Sequence, residues 1–339
     1  PRPRRRVDVD LRSRLARFEP LHKPRADDRA PISPDESALA DLADLADLGF
    51  VTEASAAGPV CLRSALVRAA PPRSLAPLAR VLTAPVPADV PPEGILLLDT
   101  ETTGLAGGTG TLAFLVGTAW WDGDGLRVRQ YLLASPSAED ALLGSLAELA
   151  ARFAVVVTYN GQTFDLPLLR TRGILCRRRG LLDGLAGLDL LPVARRLWGR
   201  RLPDCRQATV EIEAGCTHRG ADDIPGHLIP AAWWNFVRRG ETGTLREVCE
   251  HNLWDLQGMA AILDAATARA RLLDAPPPRC GPLPWQDAWS LARLCEPKLG
   301  GGTLAVATFS TLLAQVRDAK AALLAEHGPD TLPVTIPSP

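Results

Sequence analysis

The sequence predicts an α/β fold, a mixed sheet flanked by helices, and three observations predict it. Three apolar, β-prone runs follow one another from residue 95: ILLLD, TLAFLVGTAWW and LRVRQYLL, with the Gly-rich turns LAGGTG and DGDG between them. A leucine- and alanine-rich run of helical spacing, SAEDALLGSLAELAARF, is then followed by the strand-like AVVVTYN. Finally, LREVCEHNLWDLQGMAAILDAATARA is long enough for a helix of about six to seven turns. Short turns between successive strands give an antiparallel meander. A helix between strands gives a crossover and a parallel addition.

Taken in order, residues 1–90 are rich in Pro, Ala, Arg and Asp and end in LTAPVPADVPPEG. They read as a mostly disordered N-terminal arm and Pro-rich linker, with a short helical pattern at SALADLADLADL. Residues 91–270 form the α/β domain. After the meander, Ser137 stands three residues before Asp140 as a helix start, and DLPLLRTRG reads as a helix closed by Gly173. Another element begins near Asp189 in GLDLLPVARRLWG. Thr244 and Glu247 have capping-box spacing ahead of the long helix. Residues 271–339 form a small helical tail of two stretches, WQDAWSLARLCEPKL and TFSTLLAQVRDAKAALLAEHG. Together they would make at most one degenerate tetratricopeptide-like unit, a surface for a protein partner, and a single unit does not establish a solenoid, which generally needs about three.

Composition narrows the class. With 339 residues, 46% of them hydrophobic, the chain is large enough for a full core. A net charge of −1 excludes a histone-like binder driven by a global basic field and leaves room for a local cationic groove. The seven cysteines form no CxxC pair, so a disulfide framework is not expected. No stretch approaches the roughly 18 apolar residues of a membrane span, and the arginines of PRPRRRVDVDLRSRL precede no apolar signal core. A soluble protein of the reducing cytoplasm is the expectation, with no membrane partner.

The chemistry gathers around acids. In ILLLDTETTG, Asp99 and Glu101 are two apart on a strand and share a face where the strand meets solvent. Two carboxylates that close are costly without a cation between them, yet the pair also fits an ordinary strand end with solvated acids. Asp165 begins a helix after VVVTYNGQTF, where capping explains it equally well. Asp255 lies in the long helix with His251 one turn earlier, a spacing that also suits a solvated ion pair. Strand pair, helix start and late helix together make a recurring order of acids.

These blocks, LLLDTETTGL, GGTGTLAFLVGTAWW, VVVTYNGQTFDLPLLRTR, LDLLPVARRLW, DDIPGHLIPAAWW and HNLWDL, resemble in uninterrupted order the YprB-type ribonuclease H-like family of the DEDD (DnaQ-like) 3′–5′ exonuclease superfamily. The resemblance covers about residues 94–265. It implies a ribonuclease H-like sheet and a two-metal hydrolysis of nucleic-acid phosphodiesters. Asp99, Glu101, Asp165 and Asp255 would hold two divalent cations, with Asp99 shared between them and His251 as general base. All-oxygen acids suit Mg²⁺ or Mn²⁺. His251 departs from the family's histidine branch: it stands four residues before Asp255, the spacing of the tyrosine branch, rather than five. Thr102, Leu105, Asn160 and Phe164 are the substrate-contacting candidates, Leu105 as a wedge between terminal bases and Asn160 as an alternative turn residue before Gly161.

Other features have simpler explanations. Asp189 reads as a helix cap, and Asp222 and Asp223 as turn residues. The arginines at 170, 172, 177–179, 195, 196, 200 and 201 fit either phosphate contacts or a solvated face. Trp233, Trp234 and Phe236 fit core packing before base stacking. GGTG lacks the Lys-Ser/Thr of a phosphate loop, and Cys205, Cys216, His218 and His227 match no common zinc spacing. A structure-specific endonuclease on the same fold, or a non-catalytic nucleic-acid-binding scaffold, are the competing readings.

Overall fold

A computed structural model describes residues 45–327 except 73, 83–84, 88, 105–108, 124, 217–222, 274–282 and 296–302. Its centre is a seven-stranded mixed sheet in the order β1-β2-β5-β4-β3-β6-β7. The strands are β1 Val51–Ser55, β2 Gly58–Arg68, β3 Ile95–Thr102, β4 Ala113–Asp122, β5 Gly125–Leu132, β6 Val155–Thr158 and β7 Ala186–Asp189. β3, β4 and β5 pair antiparallel as the meander, and β6 and β7 add in parallel on the other side of β3. The mixed sheet expected from sequence is therefore present.

Eight α-helices flank the sheet among the described residues: α1 Glu139–Ala150, α2 Asp165–Leu175, α3 Leu190–Leu197, α4 Gln207–Glu213, α5 Ile229–Arg239, α6 Gly243–Ala270, α7 Trp285–Cys295 and α8 Thr303–His327. Strand alternation divides the core. Leu96 and Leu98 join an apolar cluster with Leu142 and Leu146 of α1 and Leu166 and Leu169 of α2. Ile95 and Leu97 join one with Val193 and Leu197 of α3 and Met259 and Leu263 of α6. Asp99 and Glu101 continue the second set, and Thr100 continues the first.

Several local expectations shift. Residues 51–68, inside the segment read as an arm and linker, form the β1–β2 hairpin paired to β5. Its VTEAS and GPVCLRSALVR are only partly apolar because β1 is an edge strand, exposed along almost its whole length. Ser137 lies in a single 3-10 turn, and α1 starts at Glu139 without a side-chain cap. α2 runs through Gly173 to Leu175, and α6 starts at Gly243 with no side-chain cap bond from Thr242, so the expected capping box does not form.

The C-terminal helices share the core of the sheet. Ala288, Leu291 and Ala292 of α7 and Leu312 of α8 are fully buried in the cluster that α6 builds. Asp287 of α7, with a side chain only 1% exposed, pairs at 3.1 Å with both Arg201 and Arg269. The six cysteines among the described residues are free thiols. No helix among the described residues is long and apolar enough to cross a membrane.

Candidate metal centre

The site lies where β3 leaves the sheet. A register shift between Glu101 and Thr102 ends the regular pairing with β4 there. Asp99 points to α6, where its Oδ2 accepts a 2.7 Å hydrogen bond from Asn252 Nδ2. Glu101, 8% exposed, meets His251 and Asp255: one ligand atom from each of the three lies within 4.8 Å of the others. Thr100, on the opposite face of the strand, donates through its hydroxyl to Asp165 Oδ1 at the first turn of α2. The end of one strand thus reaches helices on both sides of the sheet.

Backbone geometry places Asp165. Asn160, in the turn two residues after β6, adopts the left-handed region at φ 64°, and its Oδ1 accepts from Thr163 Oγ1 at 3.0 Å. Gly161 follows because a Cβ there would sit 2.5 Å from the Thr158 side chain. Asp189 braces this turn: its carboxylate accepts from the backbone N–H of Asn160 at 2.7 Å and Gln162 at 3.1 Å while capping α3 at Leu191. Its expected role as a cap holds and widens.

The electrostatics describe a cage of mutually repelling acids. Burial, then the neighbouring Asp255, Glu101 and Asp165, hold the Asp99 carboxyl well above its usual 3.8, against the opposing hydrogen bond from Asn252. Glu101 is pushed up to about 8, chiefly by burial; His251 pulls it down, while Asp255, Asp165 and Asp223 push it further up. Asp165 rises to about 6 through burial, opposed by the Thr100 hydroxyl. Burial alone would lower the His251 imidazole, yet Asp255, Glu101 and Asp223 hold it above its ordinary 6.5. The donor atoms of Glu101, His251 and Asp255 lie close enough together to share one cation, with Asp99 and Asp165 within electrostatic reach, and their carboxylate oxygens suit a hard divalent cation.

His251 is built into this cage. Its Nε2 lies 3.3 Å from Asp255 Oδ2 and its Nδ1 2.6 Å from Asp223 Oδ1, with the histidine side chain 18% exposed. The four-residue spacing puts both side chains on one face of α6 and into the site. Reading the pair as solvated is therefore set aside, because both partners are largely buried. Asp223 is a correction too: a turn residue by sequence, it is a carboxylate partner of the histidine. Three further polar residues, which no sequence motif marks, touch the site: Thr100, Asn252 and Gln207. Gln207 of α4 donates to Asp255 at both its backbone oxygen, 2.8 Å, and Oδ1, 3.1 Å. The available signal was a polar residue inside an apolar pattern: Asn252 is wholly buried in a helix face.

The remaining candidates fall in different places. Phe164, just before Asp165, is 55% exposed. Thr102 donates through its hydroxyl to the carbonyl of Gly104 at 3.0 Å. Leu105 and Asp222 lie outside the described residues, as does His218 of the rejected zinc set. Trp233 and Phe236 are core, with the Trp233 indole donating to the Leu133 carbonyl at 2.8 Å. Much of the arginine run is committed to the fold: Arg172 grips Glu139, Arg178 pairs with Asp140, Arg196 donates to the Val81 carbonyl and Arg201 binds Glu213 and Asp287.

An antiparallel meander extended by parallel strands, with acids gathered at the end of β3, defines an α/β domain of the nuclease type. The chain belongs to the RNase_H superfamily, whose sequence profile matches residues 96–267. It is 38% identical over 170 residues to YprB of Bacillus subtilis (strain 168), itself described as uncharacterized. That match takes in 50% of this chain and 40% of YprB, so the chain spans less than half of that relative's length.

Proposed function

We propose that the protein is a metal-dependent nuclease that hydrolyses nucleic-acid phosphodiester bonds and works as an exonuclease from a 3′ end. The observation that carries this reading is the grouping of Glu101, His251 and Asp255 at the end of β3, with Asp99 near enough for the charges of Asp255, Glu101 and Asp165 to raise its carboxyl, in the superfamily's fold. The four carboxylates would hold a pair of divalent cations, Mg²⁺ or Mn²⁺. Bound there, such cations supply Lewis-acid activation of water and stabilisation of the leaving 3′ oxygen.

The chain's own residues then divide the work. Asp223 on Nδ1 orients the His251 ring so that Nε2 faces the cage, as required of a base that takes a proton from an attacking water. Gln207 ties Asp255 to α4, and Thr100 ties Asp165 to β3. Phe164, exposed and next in sequence to Asp165, would stack on a base of the substrate strand.

The test is incubation of the full chain with Mg²⁺ or Mn²⁺ and end-labelled single- and double-stranded DNA and RNA. A ladder shortening from the 3′ end that disappears in Asp99→Ala supports the proposal. Equal cleavage by that variant sinks it. Internal cuts would favour the structure-specific endonuclease, and tight binding without cleavage under every metal the scaffold.

A further inference from the structure

Beside the acid cage runs a row of polar side chains that the mechanism has not used. Arg63, Gln130, Gly117 and Asp99 occupy one register row across β2, β5, β4 and β3. Gly117 leaves a gap in this row: a Cβ there would lie 2.1 Å from Asn252 Oδ1. Asn252 of α6 fills it, donating to Asp99 Oδ2 at 2.7 Å and accepting at Oδ1 from Gln130 Nε2, also at 2.7 Å. Gln130 Nε2 donates in addition to the Cys249 carbonyl at 2.8 Å, and its Oε1 accepts from Arg63 Nε. Arg63 is itself held, donating to the Leu48 carbonyl at 3.1 Å with its guanidinium over the Phe50 ring.

The polarity of this relay is forced by its ends. A guanidinium only donates and a main-chain carbonyl only accepts. Gln130 must therefore turn its oxygen to Arg63 and its amide N–H groups to Cys249 and Asn252. Asn252 must then offer its oxygen to Gln130, which leaves its own N–H₂ for Asp99. An amide that could face either way is locked so that a donor meets the Asp99 carboxylate.

We propose that Asn252 is a positioning residue of the cation site: it ties down Asp99 Oδ2 and leaves Oδ1 as the ligand atom, with its orientation set by Arg63 through Gln130. The inference rests on reading the cage as a metal site. It also makes the β1–β2 hairpin, which lies outside the residues matched to the superfamily, part of the nuclease unit.

The experiment is calorimetric titration of the metal-free full chain with Mn²⁺ at fixed pH. Asn252→Leu, close in size and without a donor, is expected to bind about 10- to 100-fold more weakly. Excess Mn²⁺ should restore most of its cleavage rate without changing the KM for nucleic acid, a pattern that mere loss of folded protein does not produce. Should that variant not fold, Arg63→Met, which leaves α6 untouched, must weaken binding in the same direction, while Arg63→Lys, still a pure donor, stays near wild type. Wild-type affinity in both Asn252→Leu and Arg63→Met, with binding lost in Asp99→Ala, overturns the relay and spares the cage. A wild-type protein that binds no Mn²⁺ overturns both.

Discussion

Replacing Glu101 with Gln removes a charge without changing shape, and it should make the metal-free protein more stable while destroying its use for metal. Glu101 ionises near its ordinary 4.5 when unfolded and at about 8 when folded. A carboxyl whose folded value is raised keeps its contribution below 4.5 and loses it as pH climbs towards 8. Each pH unit in that window costs the wild type about 1.4 kcal/mol, a ceiling of ~5 kcal/mol at pH 8. The favourable pairing of Glu101 with His251 is lost in the variant, and neighbouring acids share the strain, so ~2 kcal/mol is the expected gain. For a domain of this size that is about 4–8 °C in Tm. Thermal melts in EDTA at pH 5, 6.5 and 8 should show a gain that grows with pH, and Mg²⁺ or Mn²⁺ should then stabilise the wild type but not the variant. A metal-free Glu101→Gln protein that melts below wild type at pH 8, or that keeps the full metal-induced stabilisation, would refute the reasoning.

The same acids link metal binding to pH: Glu101 at about 8 and Asp165 at about 6 must shed protons, so Mn²⁺ affinity should rise by up to about tenfold per pH unit for each proton released. Calorimetry in two buffers of different ionisation enthalpy counts those protons, and an affinity flat from pH 6 to 8 contradicts the cage. His251→Ala should lower kcat by about 100-fold with metal affinity changed less than about threefold, and Asp223→Asn by about tenfold; near-normal turnover in His251→Ala removes the histidine from the mechanism. Asp189→Ala strands three backbone N–H donors and should cost ~3 kcal/mol in urea unfolding, with a loss below ~1 kcal/mol showing that water replaces the brace.

How far the sequence could be read depends on where each signal is written. The meander and its parallel additions were legible because ILLLD, TLAFLVGTAWW and AVVVTYN are buried on both faces, and burial of that kind demands continuous apolar runs. Asp99 and Glu101 were legible because strand alternation fixes which side chains share a face. The β1–β2 hairpin was not, since edge strands answer to solvent and carry mixed composition. Asp223, Asn252 and Gln207 were hidden for a different reason. Their partners here are 28, 153 and 48 residues away, and nothing local marks a residue that points another side chain. His251 shows the two levels meeting, for its spacing to Asp255 is local while its hold by Asp223 is not.

In the proposed site, four carboxylates delivered by β3, α2 and α6 hold divalent cations together. Manganese anomalous diffraction from crystals of the full chain tests it most directly. Two anomalous peaks bounded by Asp99, Glu101, Asp165 and Asp255 are expected, both absent in Asp99→Ala. Crystals soaked in Mn²⁺ that show no peak among these four acids, or peaks only elsewhere on the protein, would contradict it.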